Sequence, residues 1–204
     1  MRDRGALFAL KITQSEHLEV TAWGVLSMDT AAPITFDVTL EDGFAYLVKW
    51  LARERAREAD EPLVHTHRTS DRVELFTHSI GAEFAFAQLF NVCPSTAIHE
   101  RRVWDFDVEG WGQLDIKHTQ LSYGNLIINP AKETHKVSGY VLMAGRYPDY
   151  QFRGWATPGD VFEQGEVKTF ASKVYLVKKE NLRPAPQKYT AQAHKHEIRA
   201  SVTR

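Results

Sequence analysis

The chain has a single cysteine, Cys93, so it cannot form an internal disulfide. Set in an apolar stretch, that thiol reads as buried and inert, and the absence of a signal-peptide pattern points to an intracellular, cytoplasmic protein. No apolar run is long enough to span a bilayer, which excludes a membrane partner of that kind. Neither a G-x-S-x-G element nor a P-loop occurs, and there is no glycine-rich dinucleotide fold, so serine-hydrolase, NTPase and Rossmann chemistries lack their usual carriers. Internal repeats and low-complexity tracts are missing too.

An excess of charge is absent overall but present locally. The 204 residues carry 25 Lys and Arg against 26 Asp and Glu, a net charge of −1. Residues 167–204, however, hold nine of the basic side chains and only two of the acidic ones. Lys168, Lys173, Lys178, Lys179, Arg183 and Lys188 lie in this basic stretch. It can track a phosphate backbone while the acidic remainder holds a cation, or it can simply be solvated, with a partly disordered tail after Pro184-Ala185-Pro186.

With 43% hydrophobic residues the chain can bury a substantial core, as one elaborated domain or two small ones. Strand-like runs cover Ala6 to Ile12, Leu18 to Leu26 and Ile34 to Leu40. Asp42 then caps a helix whose Phe44, Leu47, Val48 and Leu51 share a face, followed by a charged run, Arg53 to Glu61, that reads as a solvated surface. Residues 1–62 thus form a β-rich N-terminal module with a helix. Leu63 to Asp71 connects it to a helical segment around Glu83. Strands are expected at Ile98 to Val108, Gln113 to Thr119, Leu126 to Ile128, Gly139 to Ala144, Phe152 to Ala156 and Ser172 to Val177. The fold class is α/β in the α+β range, a mixed sheet flanked by helices with an antiparallel hairpin.

That hairpin, Trp104 to Thr119, sorts its side chains by type. Asp105, Asp107, Asp115 and Lys117 fall on one face, Phe106, Val108, Leu114 and Ile116 on the other, around a Gly110-Trp111-Gly112 turn. Pairing Asp107 with Asp115 and Asp105 with Lys117 gathers three carboxylates and one ammonium. Like charges so placed repel and invite a hard divalent cation, Mg²⁺ or Mn²⁺; the competing reading is an amphipathic hairpin with a solvated acidic face. Glu83 is the only formally charged residue between Leu75 and His99. On a helix with Ser79 as N-cap it calls for a charge or metal partner, or else sits on a narrow exposed stripe in the first turn. His118 points to the apolar face and reads as structural. His65-Thr66-His67 and His194-Lys195-His196 have metal-ligand types at strand spacing but lack the acids or cysteines of a closed zinc site. Asp105-Phe106-Asp107 matches the D-x-D of metal-dependent glycosyltransferases, in a chain short for that class.

The order Asp105, then Asp115-Ile116-Lys117, resembles the PD-(D/E)xK nuclease superfamily. Ile80-Gly81-Ala82-Glu83-Phe84-Ala85 is similar to the helical glutamate element of that superfamily. Tyr140-Val141-Leu142-Met143 and Phe152-Arg153-Gly154-Trp155-Ala156 resemble its later strand and following turn. Trp104 stands where the namesake proline would be. The likeness spans roughly residues 75 to 185. It implies a restriction-endonuclease-like core over residues 63–186 and a metal-dependent DNA endonuclease, with RNA as the other substrate polymer and a homo-oligomer left open; by composition, residues 187–204 form a basic tail. A compact helper protein of a phage or mobile element fits the size. Glu83, Asp105, Asp115 and Lys117 would be catalytic, with the ion on Asp105, Asp115, the Ile116 carbonyl and Glu83. Asp107 is an alternative ligand, and Gln113 and Thr119 flank the element on the same face. Lys173, Lys178, Lys179 and Arg183 would contact nucleic acid. A nuclease-like domain that binds nucleic acid or a protein without cutting is the alternative.

Overall fold

The computed structural model describes residues 35–58, 72–98, 103–134, 136–170 and 172–202. The expected strands Ala6 to Ile12 and Leu18 to Leu26, the connection Leu63 to Asp71, and the pair His65 and His67 lie outside the described residues.

Among the described residues five strands form the main sheet: β1 (Phe36–Thr39), β2 (Phe106–Val108), β3 (Gly112–Thr119), β5 (Gly139–Arg146) and β6 (Asp149–Ala156), in the order β1-β6-β5-β3-β2. Neighbours are antiparallel except β3 and β5, which are parallel. A second antiparallel sheet holds β4 (Leu126–Ile128), β8 (Lys173–Val177) and β7 (Glu166–Thr169), in that order. The helices are α1 (Asp42–Glu58), α2 (Arg72–Phe90), the short α3 (Pro158–Phe162) and α4 (Gln187–Val202). The fold is therefore mixed α/β, a mixed sheet flanked by helices.

Two apolar clusters divide the faces of the main sheet. Phe36, Leu114, Ile116, Val141, Met143, Tyr150 and Phe152 point into one, with residues of α1, α2 and α4. Tyr140, Leu142 and Ala156 point into the other, with Leu126, Ile128, Val161 and Val177. Alternation along the strands produces this split. Helix α2 is apolar around most of its circumference, with ten buried residues, as befits a helix packed between other elements. At Gly81 a Cβ would collide with the Tyr150 hydroxyl, which donates to the His78 carbonyl at 3.1 Å. Gly81 is thus a packing requirement of α2.

Several expectations need correction. Ser79 is not an N-cap: α2 begins at Arg72, and the Ser79 hydroxyl donates back to the Phe76 carbonyl within the helix at 3.3 Å. Cys93 is exposed rather than buried, because Asn91 takes a left-handed conformation (φ 49°) just past α2 and the chain leaves the core there. The strand expected from Ile98 spans only Phe106–Val108. β1 is not separate from the later strands but pairs with β6 through Phe36↔Phe152 and Val38↔Tyr150. Residues 187–202, read as a tail, are helical, and Tyr189 and Ala193 are buried in the first cluster.

Trp111 anchors that cluster from the hairpin turn. Its ring meets those of Phe86, Phe90, Phe152, Trp155 and Tyr189, with centroids 5.4–6.3 Å apart. The Tyr189 hydroxyl also donates to the Glu109 carbonyl in the same turn, at 2.7 Å. Tyr189→Ala should therefore cost about 3 kcal/mol of unfolding free energy in urea titration, the scale of other buried aromatic deletions. An unchanged midpoint would mean that α4 does not hold the hairpin.

Candidate functional site

The hairpin keeps its face assignment but not its expected register. β2 and β3 pair Phe106↔Leu114, Asp107↔Gln113 and Val108↔Gly112. The turn is Glu109-Gly110-Trp111, and burial of the Trp111 indole pulls it tight against the core. Gly110 (φ 75°) and Gly112 (φ 93°) take conformations that other residues adopt only under strain. The slip from the expected pairing is two residues, an even number, so each side chain stays on its predicted side. Asp107 no longer faces Asp115 but Gln113, as an exposed residue, and Asp105 is left as the hairpin acid on which the Asp115 charge acts.

Asp105 sits just before β2, where the ladder has ended. Its backbone N–H donates to the Leu114 carbonyl at 2.8 Å, and its Oδ2 accepts the Ile116 N–H at 2.6 Å. The carboxylate thus takes the place of the backbone acceptor that a longer β2 would have provided, which fixes its orientation against the D-x-K element.

Asp115 is the most buried charged side chain of the group, at 4% exposure. Lys117, two residues along the same strand face, contacts Oδ1 directly. Oδ2 accepts no hydrogen bond and is sealed from solvent, while the Lys132 ammonium stands 3.4 Å away. Lys132 comes from a short 3₁₀ turn, Pro130–Thr134, tied down where its carbonyl accepts the Tyr140 hydroxyl at 3.2 Å. Burial, and then the charge of Asp115, push the Tyr140 hydroxyl up to about 12.

Glu83 approaches from α2, its side chain 19% exposed and 3.9 Å from the Arg55 guanidinium. Burial raises its carboxyl to about 8; the Asp105 and Asp115 charges add to the rise, and Arg55 and Lys117 oppose it. Asp105 is raised to about 6 by burial and by Asp115, against the Ile116 N–H and the two lysines. Glu83, Asp105, Asp115 and Lys117 therefore share one electrostatic environment. Among the described residues no group of three or more His, Cys, Asp or Glu side chains converges closely enough to hold one ion.

Two participants have no signal in the local sequence. Lys132 lies in a connection far from the hairpin. Arg55 lies in the charged run expected to be a solvated surface; instead it reaches Glu83 and donates to the Ala97 carbonyl at 3.1 Å. Gln113 is half-buried with its backbone bonded to Ser138, and the Thr119 hydroxyl accepts the Leu121 N–H at 3.2 Å. His118 is on the opposite face, its Nε2 2.9 Å from the Gly145 carbonyl and its ring stacked 5.8 Å from that of His78. His194 lies edge-on to Phe36, with ring centroids 5.0 Å apart.

The basic residues toward the C-terminus are mostly matched locally. Lys178 and Lys168 both pair with Glu166, at 2.7 and 2.9 Å. Arg183 binds Asp160 through two hydrogen bonds of 2.7 and 2.8 Å, which hold that carboxyl down at about 2. Lys179 is 3.9 Å from Glu180, and Lys173 lies over the Tyr175 ring.

Because the Glu83 carboxyl lies above its unfolded value of 4.5, the native protein holds a proton that the unfolded chain has released. Stability should therefore fall as pH rises from about 4.5 to about 8, and Asp105 adds the same slope up to about 6. Glu83→Gln should flatten this decline and raise the thermal midpoint above that of the unsubstituted protein at about pH 9. A midpoint that Glu83→Gln leaves unchanged there would show that the acid carries no retained proton.

Comparisons with protein-family models, with curated proteins and with solved structures give no significant match for this chain.

Proposed function

We propose that the chain is a Mg²⁺- or Mn²⁺-dependent endonuclease with a restriction-endonuclease-like core, hydrolysing phosphodiester bonds of DNA at Asp105, Asp115 and Lys117 with Glu83 alongside. The observation that carries this reading is the Asp115 carboxylate: buried, in contact with Lys117, and with an Oδ2 that accepts no hydrogen bond. That oxygen accepts no hydrogen bond and faces the Lys132 ammonium at 3.4 Å, a position that a metal cation would also suit, and burial, which raises the Glu83 and Asp105 carboxyls, adds to the demand for positive charge there. Asp105 and Asp115 would hold the ion, with the Ile116 carbonyl and Glu83 as the further ligands that the resemblance implies; the three acids do not converge on one point in this structure, so the ion would have to draw them together. A bound ion would supply Lewis acidity, activating water and neutralising a non-bridging phosphate oxygen.

The chain's own groups define the rest. The Ile116 N–H holds Asp105 in place, so the acid needs little reorganisation to accept a ligand. Lys117 holds its ammonium against the Asp115 carboxylate, which suits it to stabilise the pentavalent phosphorus centre. Lys132 adds a second positive charge on the other oxygen of Asp115. Glu83, able to carry a proton near neutral pH, suits proton exchange with the water or leaving oxygen.

One observation favours the alternative of a nuclease-like domain that binds without cutting. The charge of Asp115 is already met by Lys117 and Lys132, as in a structural ion-pair network. The two readings part in a cleavage assay on plasmid, linear duplex, single-stranded and branched DNA with Mg²⁺, Mn²⁺ or EDTA. Metal-dependent cutting is expected, lost in Asp115→Asn and reduced at least about a hundredfold in Lys117→Ala. No cutting of any substrate assigns the domain to binding; cutting retained in Lys117→Ala removes that residue from the mechanism.

A further inference from the structure

A cavity of about 570 Å³ opens on the same face of the main sheet as Asp115 and Lys117. Sheet register fixes the relation. Lys117 lies beside Leu142, and Thr119, two residues on, lies beside Ala144. Ala144 pairs with Gln151, and Gln151 with Asp37, so one row runs across four strands from Thr119 to β1. Ala144, Gln151 and Asp37 line the cavity. Its floor therefore begins one ladder step, about 7 Å along the strands, from the Lys117 row.

A β-bulge aims a cation into this space. Leu142 pairs with Gly154 and Met143 with Phe152, so Arg153 is the extra residue of β6. Phe152 faces the helical core, while Gly154 (φ 127°) lies against Leu182 and the Arg183 carbonyl on the opposite side. Arg153 shares that opposite side and lines the cavity. Its Nη2 donates to the Ser122 carbonyl at 2.6 Å, but its Nε is sealed from solvent and has no acceptor. The sealed Nε is out of reach of a ligand, so it is the rest of the guanidinium, where Arg153 lines the cavity, that offers itself to an anionic oxygen. Arg146, exposed at the far end of the cavity, forms no ion pair among the described residues although the register sets it opposite Asp149.

Acceptors line the rim beside the two guanidinium groups. Asp149 accepts the Thr39 hydroxyl at 2.7 Å, and Asp37 accepts the Gln151 amide at 2.6 Å. A simple anion would meet both carboxylates unfavourably. A nucleotide would not, because it offers phosphate oxygens to arginine and base N–H donors to carboxylates and carboxamides. The volume suits one nucleotide.

We propose that this cavity seats one unpaired nucleotide of a DNA strand, its backbone phosphates on Arg153 and Arg146 and its base over Ala144 toward Gln151, Asp37 and Asp149. The inference rests on the nuclease reading only in naming the polymer. It assigns the site a preference for strands that are single at the position flanking the one held at Lys117.

The test is binding of a short fluorescent single-stranded oligodeoxynucleotide to the full chain in EDTA, where metal-dependent cutting does not operate. Arg146→Gln should weaken binding about tenfold and lower the salt dependence of log K by about 0.7, the loss of one phosphate contact. Arg153→Lys, which keeps the charge but loses the fork, should weaken it as well. Arg57→Gln, an exposed change on α1, should match the unsubstituted protein. The inference is overturned if the unsubstituted protein does not bind, if Arg146→Gln binds like Arg57→Gln, or if blunt duplex competes as well as single strand. Arg146-dependent binding without cleavage under any metal would keep the cavity assignment and sink the nuclease reading; cleavage indifferent to Arg146 in both affinity and KM would do the reverse.

Discussion

A carboxylate removed from water needs positive charge close by, and Asp115 draws that charge from two directions. Lys117 comes from the same strand, so β geometry alone supplies it. Lys132 comes from the connection between β3 and β5, where the Tyr140 hydroxyl pins the 3₁₀ turn. The second sheet packs over this same face through Leu126, Ile128 and Val177. Compensation of one buried charge thereby ties the strand, the crossover and the smaller sheet into a common arrangement, with Asp105 locked to Ile116 beside it.

Helix α2 performs the matching task on the other side. It brings Glu83 toward the hairpin while Ile80, Phe84, Phe86 and Phe90 fill the core. Its position is set by small and aromatic groups: the absent side chain at Gly81 lets Tyr150 close in, and Phe86 and Phe90 meet Trp111 from the hairpin turn. Glu83 and the hairpin acids therefore cannot shift independently of the core, and the elevated Glu83 and Asp105 titrations follow from burial that the packing imposes.

What the amino-acid order revealed was what depends on local alternation and composition. The alternation of Asp105, Asp115 and Lys117 against Phe106, Leu114 and Ile116 placed the acids and the lysine on one face, because an even register slip leaves faces unchanged. The isolation of Glu83 in an apolar segment marked it as a residue needing a partner, and β4 was legible from Leu126 to Ile128. Long-range choices were not legible. Which hairpin acid the Asp115 charge acts on depends on where the Trp111 indole docks, and Arg55 and Lys132 reach the acids only through tertiary packing. The helix after Pro186 is polar enough to read as a tail; Tyr189 and Ala193 reveal their burial only once a surface exists to receive them. The bulge at Arg153 has no periodic signature beyond an adjoining glycine.

Parallel strands cannot be joined by a tight turn; their connection must travel the length of the sheet and return. Between β3 and β5 that return path is the segment from Gln120 to Ser138, and it contributes Ser122 to the proposed nucleotide seat and Lys132 to the Asp115 ion pair. Connections are ordinarily the freest parts of a chain to lengthen, shorten or exchange. Here the route that topology demands also carries two of the groups around the site. Divergence of this fold should therefore leave the length of that segment more constrained than its surface position suggests, with change directed to the hairpins elsewhere.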